Sequence, residues 1–218
     1  MTTVPRVSLA GIHGLLFDAA CGGFNLATQK RLWAMSRLLS EQEGVAETVP
    51  GVNNLLVLFH PDGIGHRYQS DILLAAWEAA EVDDMPMREI EIPIAYGVGV
   101  EEDLRDISRM TGLTPSEIFA QHEAARYFVV AVGAMPGFPY MAGLPGALDI
   151  PRRARPRNNV SVGTVVIGGG LAGIMPCTAP TGWYGVGTTE TVLFSLDRPH
   201  GPSLLRPGDR VTFRSVGR

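Results

Sequence analysis

Apolar and polar residues follow two different periods over the first part of the chain. Short apolar runs bounded by glycine, proline or asparagine predict four strands, at residues 4–9, 14–18, 45–49 and 54–59. After each pair of strands the apolar residues recur at helical spacing. Asn25 is suited to cap a first helix that ends near Glu41, and Ser70 to cap a second helix over Asp71–Val82. The pattern predicts a two-layer α/β domain in which helices cover a face of an antiparallel sheet.

Residues 81–86 interrupt this pattern and predict a domain boundary. The segment is acidic, contains Pro86 and carries no apolar period. The charge also differs on its two sides, with five basic and ten acidic residues in 1–86 but thirteen and twelve in 87–218. We therefore predict one domain over residues 1–86 and a second over residues 87–218.

The second domain opens with an alternating strand at Glu89–Ile94, which two helices follow. Gly112 suits the position just after the end of the first helix. Thr114 and Glu117 match a capping box that opens the second helix.

From residue 127 onward, glycine and proline separate short apolar runs that show no helical period. These runs predict strands at residues 128–132, 163–167, 191–196 and 210–213. Such a pattern is typical of a β-barrel or a sandwich, so the whole chain is assigned to the α+β class.

Composition and charge argue against several classes of function. The 218 residues carry a formal net charge of −4, which makes a general nucleic-acid binder a poor interpretation. The longest apolar stretches are far shorter than the about 20 residues that cross a bilayer, and the N-terminus lacks a secretory pattern. We expect a cytoplasmic protein that contacts neither nucleic acid nor membrane.

The spacing of cysteines, histidines and lysine predicts no metal site and no Walker A nucleotide site. Cys21 and Cys177 have no CxxC partner and are expected to be free thiols. The five histidines show neither HExxH nor HxH spacing. Lys30 is the single lysine, and no Gly-Lys-Ser/Thr sequence occurs.

The segment Gly168–Gly173 matches the GxGxxG pattern of dinucleotide-binding proteins. That motif requires a helix whose N-terminus faces the pyrophosphate, but Pro176 and Pro180 would interrupt such a helix. We therefore interpret the segment as a glycine-rich β-turn where backbone approaches backbone or a ligand closely.

Four arginines occur within residues 152–157. They form either an exposed basic loop or a site in which Arg152 or Arg157 presents its planar guanidinium to a carboxylate or phosphate. His122 lies among apolar residues of the capped helix, where it is either a structural hydrogen-bonding residue or a catalytic base.

Two segments combine aromatic rings with glycine and proline, one on each side of the arginines. Residues 135–145 contain Phe138 and Tyr140, and residues 180–188 contain Trp183. Aromatic surfaces beside arginines suit a small polar ligand or a partner chain, whereas the alternative is an ordinary barrel core with tight corners.

Several sequence blocks occur in a fixed order along the second domain. They are Pro136-Gly137-Phe138-Pro139-Tyr140 with Gly143-Leu144, Pro151-Arg152-Arg153 with Pro156-Arg157, Gly169-Gly170 with Gly173-Ile174 and Pro176, Gly182-Trp183, Gly187, and Pro207-Gly208-Asp209-Arg210-Val211. In this order the blocks resemble the B-subunit family of 5-oxoprolinase, also called KipI or allophanate hydrolase subunit 1. The resemblance is strong from about Ile92 to Phe213 and weaker over the N-terminal domain.

This resemblance implies a small N-terminal α/β domain and a C-terminal cyclophilin-like β-barrel of carboxyltransferase type. Members of the family act with C-type and A-type subunits in a complex that hydrolyses ATP to open 5-oxoproline to glutamate. One relative instead inhibits a histidine kinase, and related domains occur in urea carboxylase. We expect the same partners here, ATP in the complex at an unknown site, no metal, and no activity of the chain alone.

The chain departs from the family pattern where polar side chains are usual. Leu171 stands where members commonly have glutamine. After Gly187, members often have an arginine before the threonine, whereas this chain has Thr188. These departures leave open which lactam or amide is the substrate. A regulatory binding protein of the kinase-inhibitor type, or an allophanate hydrolase or urea carboxylase-related subunit, is the alternative.

The residue types and the resemblance together predict a site. Its catalytic residues are expected to be Arg152, Arg157 and His122. Its substrate-binding residues are expected to be Pro136, Gly137, Phe138, Tyr140, Gly169, Gly170, Gly173 and Trp183. Chemically, the arginines and backbone N–H groups of the glycine segment would stabilise negative charge on the substrate, and the rings would form its walls.

Overall fold

The computed structural model describes residues 4–19, 22–61, 66–82 and 87–217, without the side chains of residues 66–68. The chain divides into two compact units, Met1–Pro86 and Met87–Arg218. Cys21 and residues 83–86 of the expected boundary lie outside the described residues. Over the described ranges, no helix combines the length and the apolar character needed to cross a membrane.

The first unit is a four-stranded antiparallel sheet with two helices. Its elements are β1 (Arg6–Leu9), β2 (Gly14–Asp18), α1 (Leu26–Ser40), β3 (Val45–Pro50), β4 (Asn54–Phe59) and α2 (His66–Ala79). The strand order is β1-β2-β4-β3. Alternate residues of the central strands, among them Phe17 and Val57, form one core with Leu32 and Met35 of α1 and Trp77 of α2. The sheet therefore buries one face under both helices, as the apolar pattern predicts.

Of the two capping predictions for the helices of this unit, one is confirmed and one is wrong. The Asn25 side chain accepts a hydrogen bond from the Thr28 N–H at 2.9 Å, so the predicted cap of α1 is confirmed. The prediction that Ser70 caps α2 is wrong, because α2 already begins at His66 and ends at Ala79. The apolar spacing of this helix begins only after its first turn, so the period indicated a start that was too late.

The second unit is built mainly of strands. Its elements are β5 (Glu89–Tyr96), α3 (Glu101–Thr111), α4 (Pro115–Ala124), β6 (Tyr127–Val132), β7 (Pro139–Ala142), a short 3-10 helix (Gly146–Leu148), β8 (Arg157–Val160), β9 (Thr164–Gly168), β10 (Leu171–Ile174), β11 (Ala179–Thr181), β12 (Tyr184–Thr188) and β13 (Arg210–Ser215). Seven strands close a barrel in the order β10-β7-β6-β13-β5-β12-β9, and β8 pairs with β11 in a separate ribbon. The predicted α+β class with a barrel is confirmed, and the sandwich is excluded.

The predicted strand at residues 191–196 is wrong. This segment makes a single isolated bridge, between Phe194 and Ser203, and joins no sheet of the described residues. Of its apolar residues, Leu193 packs into the main core, whereas Val192 and Leu196 face solvent. A short apolar run can thus anchor a loop to the core without forming a strand.

The helices of the second unit follow their predicted ends. Gly112 follows α3 in the left-handed conformation, with φ of 75°. Thr114 and Glu117 form the predicted capping box of α4: the Thr114 hydroxyl oxygen accepts a hydrogen bond from the Glu117 N–H, and the Glu117 carboxylate accepts one from the Thr114 N–H at 2.8 Å. Hydrogen bonds from the Thr114 side chain and backbone lower the pKa of Glu117.

Substituting Thr114→Ala is expected to lower the free energy of unfolding by about 1 kcal/mol, because the Glu117 N–H loses its acceptor and the Glu117 carboxylate loses the hydroxyl donor. Urea denaturation of the whole chain measures this change. Ser116→Ala, one position from Glu117 in the same exposed turn, is the matched control. Equal stability of the two variants would contradict a stabilising role for the cap.

Candidate functional site

Three aromatic rings meet at the centre of the predicted site. The ring centroids of Phe138 and Tyr140 are 5.0 Å apart, those of Phe138 and Trp183 are 5.6 Å apart, and those of Tyr140 and Trp183 are 5.9 Å apart. All three pairs meet edge to face, a favourable aromatic geometry. Phe138 and Trp183 are only 3% and 4% exposed, whereas Tyr140 is half-buried. We call these three residues the aromatic cluster.

The aromatic cluster belongs to a second, smaller core of the barrel unit. It packs with Val160, Val166 and Met175. Along β9, Val166 belongs to this core while its neighbours Val165 and Ile167 belong to the main core. Because successive side chains of a strand point to opposite faces, the aromatic cluster lies on the face of the sheet opposite the main core.

The glycine-rich segment forms a hairpin turn. Gly168 at the end of β9 pairs with Leu171 at the start of β10, so Gly169 and Gly170 form a two-residue loop. Both have positive φ, 61° and 75°, as a tight hairpin turn of this type requires. The interpretation as a β-turn is confirmed, and a strand follows where a dinucleotide site would need a helix. The Gly169 N–H donates to the Ile150 carbonyl oxygen at 2.8 Å.

Gly173 on β10 lets that strand approach the aromatic cluster. A Cβ atom at this position would lie 2.6 Å from Phe138 Cζ and 3.1 Å from the Pro139 carbonyl oxygen. Gly137 serves the turn before β7, where a Cβ atom would lie 2.8 Å from Phe194 Cβ. Pro136, in the same turn, is exposed. These residues shape the backbone around Phe138.

The four arginines of residues 152–157 have two different environments. Arg153 and Arg157 both form ion pairs with Asp103, the second at 2.7 Å, and Arg153 forms another with Asp106 at 3.0 Å. Arg152 is exposed, and its guanidinium carbon lies 5.9 Å from the centre of the Trp183 ring. Within the described ranges, neither Arg152 nor Arg155 forms an ion pair. The structure thus brings Arg152 to the aromatic cluster and attaches Arg157 to α3.

Asp103 is a residue that the sequence reasoning missed. It lies in the first turn of α3, and its side chain is 3% exposed. Besides the arginines, it accepts a hydrogen bond from the Gly185 N–H at 2.9 Å. The acidic run at residues 101–103 complements the basic run at 152–157, and this was the available signal.

His122 lies away from the aromatic cluster, inside the main core. Its side chain is fully buried among the rings of Tyr96, Tyr127 and Phe213. The Tyr96 hydroxyl and His122 Nδ1 share a hydrogen bond of 2.8 Å, and His122 Nε2 has no partner among the described residues. Desolvation by burial lowers the pKa of His122 to about 3, so its imidazole is neutral at physiological pH.

No metal site converges in the parts of the chain that the structure describes, where groups of three or more histidine, cysteine or acidic side chains in suitable positions are absent. Cys177 is exposed and unpaired by any disulfide, and its thiol contacts Met135 Sδ at 3.7 Å. Met135 packs against the core that holds the aromatic cluster.

Comparisons with known proteins agree with the resemblance of the sequence blocks. The family model "carboxyltransferase domain, subdomain C and D" matches residues 5–205. A Haemophilus influenzae protein, named as the B subunit of 5-oxoprolinase, is 38% identical over 87% of this chain and 88% of its own length. Both matches span both compact units.

Solved structures support the same fold. TTHA0988 superposes with a TM-score of 0.80 at 29% identity and covers 94% of this chain, which spans 40% of the TTHA0988 chain. The urea amidolyase of K. lactis superposes with a TM-score of 0.81 at 19% identity over 97% of this chain and 15% of its own length. The chain therefore belongs to the family of the carboxyltransferase domain, subdomain C and D, and within it to the proteins related to the 5-oxoprolinase B subunit.

Proposed function

We propose that this chain is the B-type subunit of an ATP-dependent hydrolase of the 5-oxoprolinase type, which acts with C-type and A-type subunits to open 5-oxoproline to glutamate. The observation that carries this proposal is the 38% identity to the 5-oxoprolinase B subunit of Haemophilus influenzae over nearly the full length of both chains. The TTHA0988 chain is much longer than this one, which fits a role as one part of a larger assembly.

Arg152 is the residue to which we assign the substrate carboxylate. Its guanidinium is exposed, lies over Trp183 and forms no ion pair with any described residue. A guanidinium presents two parallel N–H groups to a carboxylate, a geometry that favours bidentate binding. Tyr140, half-buried beside Trp183, is placed to contact the body of the ligand. In this assignment Arg152 binds and orients the lactam, and Tyr140 forms one wall.

The other predicted residues receive supporting roles. Arg157 is held by Asp103, so we assign it to the scaffold of the site and not to the ligand. The Gly169 N–H already donates to Ile150, which removes it from the set of free oxyanion donors. His122 is neutral and enclosed by the main core, so we assign it a structural role. Phe138 packs beneath Tyr140 and Trp183, and Gly137 and Gly173 set the path of the backbone around it.

ATP does not fit the glycine-rich segment of this chain. A phosphate group is bound well by the N–H groups at a helix N-terminus, but Gly169 and Gly170 join two strands of a hairpin. This segment is therefore not assigned to the nucleotide, and we propose that a partner subunit binds ATP. The chemistry of this chain is then the binding and orientation of the lactam.

The docking alternative of the kinase-inhibitor type relies on the aromatic residues of this surface as anchors for a partner chain. Phe138 and Trp183 are 3% and 4% exposed, which is too little for them to anchor a partner chain. The hydrolase role is for this reason the better supported of the two functions.

Reconstitution tests the proposal directly. The purified chain alone is expected to show no ATP hydrolysis that depends on 5-oxoproline, and the complex with the C-type and A-type subunits is expected to show it. Turnover by the chain alone would contradict the shared-site version. A complex that forms but hydrolyses no ATP in response to the lactam would contradict the proposed activity.

Arg152→Ala is expected to raise the KM of the complex for 5-oxoproline at least about tenfold, because a charge-assisted hydrogen bond of about 1.5–3 kcal/mol is lost. Steady-state ATP hydrolysis measures this change. Arg155→Ala, which removes another exposed guanidinium of the same loop, is the control and is expected to leave KM within twofold. Loss of complex formation by Arg152→Ala on gel filtration would instead indicate a docking role.

A further inference from the structure

Asp103 lies where three segments of the barrel unit meet. Its own position is in the first turn of α3. One carboxylate oxygen, Oδ1, accepts hydrogen bonds from Arg153 and Arg157 of the basic loop, and the other, Oδ2, accepts one from the Gly185 N–H of β12 at 2.9 Å. Both oxygens of this buried carboxylate thus join the basic loop and β12 to the helix.

Besides Asp103, the basic loop (residues 152–157) is attached through Arg157, which pairs with Thr181 of β11, and through Arg153. The Arg153 N–H donates to the Gly182 carbonyl oxygen at 2.7 Å, next to Trp183. The Arg153 guanidinium carbon lies 4.0 Å from the centre of the Tyr184 ring, and its charge is balanced by Asp103 and Asp106. These contacts fix the residue that immediately follows Arg152 and the residues on both sides of Trp183.

We propose that Asp103 is a positioning residue that holds Arg152 over Trp183. This inference rests on the proposed function, because Arg152 is the residue assigned to the substrate carboxylate. Asp103 itself is buried and does not contact the ligand. It acts through Arg153 and Arg157, whose charges it balances together with Asp106 and Glu102. Arg152, which forms no ion pair with any described residue, is then left to bind an anion beside the Trp183 ring.

The substitution Asp103→Asn removes the negative charge of the side chain but keeps its shape. The asparagine oxygen can still accept the hydrogen bond from Gly185. The two guanidinium groups lose the buried carboxylate that they share, and keep only Asp106 at 3.0 Å from Arg153 and Glu102 at 3.9 Å from Arg157. The basic loop should then leave the surface of α3, and Arg152 should lose its fixed position.

Limited proteolysis measures this release without any partner or substrate. Trypsin cleaves after arginine except before proline, so the loop offers sites after Arg152, Arg153 and Arg157 but not after Arg155. Asp103→Asn is expected to raise the cleavage rate at these sites at least tenfold in native protein, as identified by the masses of the fragments. Asp197→Asn, the same change at an exposed aspartate outside the loop and α3, is the control and is expected to leave the rate unchanged.

Kinetics of the reconstituted complex test the link to Arg152. Asp103→Asn is expected to raise KM for 5-oxoproline about tenfold while kcat stays within twofold. Adding Arg152→Ala to Asp103→Asn is expected to raise KM no further, because both changes remove the same interaction. Additive effects of the two substitutions, or an unchanged cleavage rate at the loop, would overturn the proposal.

Two further outcomes are possible: the Asp103→Asn variant does not fold, or the wild-type complex shows no turnover. If Asp103→Asn does not fold, Arg157→Gln removes one of the two guanidinium partners and is expected to raise cleavage after Arg152 and Arg153 by a smaller factor; unchanged cleavage there would overturn the proposal. If the wild-type complex shows no turnover with the lactam, the proposed function fails. The cleavage rates still decide whether Asp103 holds the loop.

Discussion

Lowering the pH from 6.5 to 4.5 is expected to reduce the free energy of unfolding by about 2–3 kcal/mol through His122 alone. The pKa of this buried imidazole is lowered to about 3, whereas an imidazole in the unfolded chain titrates near about 6.5. The unfolded chain therefore binds a proton below about pH 6.5 that the folded chain does not bind until about pH 3. The stabilisation is complete above pH 6.5 and is lost as the pH falls through this window.

Urea denaturation at several pH values measures this effect. The dependence of the free energy of unfolding on pH is expected to be shallower in His122→Gln by up to about 1.4 kcal/mol per pH unit. Glutamine can still accept a hydrogen bond from the Tyr96 hydroxyl, which limits the structural damage. His200→Gln removes an exposed imidazole and should retain the steep dependence. A parallel pH dependence of wild type and His122→Gln would exclude a buried neutral His122.

Gly173→Ala is expected to lower the free energy of unfolding by about 2–3 kcal/mol. The new Cβ atom would lie 2.6 Å from Phe138 Cζ and 3.1 Å from the Pro139 carbonyl oxygen. Phe138 cannot move aside easily, because its ring is 3% exposed and packs against both Tyr140 and Trp183. The strain is therefore expected to reach the rings of the aromatic cluster.

Gly133→Ala is the matched control for this substitution. An alanine Cβ there would meet no atom within 4 Å, although the position lies in the turn that leads to Phe138. Its stability is expected to stay within about 0.5 kcal/mol of wild type. Equal stability of the two variants, measured by urea denaturation, would show that β10 does not pack against the Phe138 ring.

Local signals predicted the elements that have a cap or a long period. Asn25 and Thr114 predicted the starts of α1 and α4, because a polar side chain at a helix start accepts a backbone hydrogen bond. The short strands β10 and β12 were hidden, because their glycines break any apolar run of five residues. Such strands depend on partners that are distant in sequence, and no local pattern reports those partners.

The sequence indicated some residues of the candidate site and missed Asp103. The sequence predicted that the aromatic residues and Arg152 lie in one region, because glycine and proline frame the rings and because the family blocks include them. The ion pair between Arg157 and Asp103 was not predicted, because the two residues are 54 positions apart. An ion pair over that distance depends on how α3 packs in the folded unit, which no local pattern reports.

β13 completes the barrel although it comes after all the other barrel strands in chain order. It lies between β5 and β6, and it is parallel to β5 from Arg210–Glu89 to Ser215–Ile94. The barrel of a growing chain therefore stays open between β5 and β6 until β13 is available to pair with both. Premature termination before Arg210 would leave those edges open to pairing between neighbouring chains.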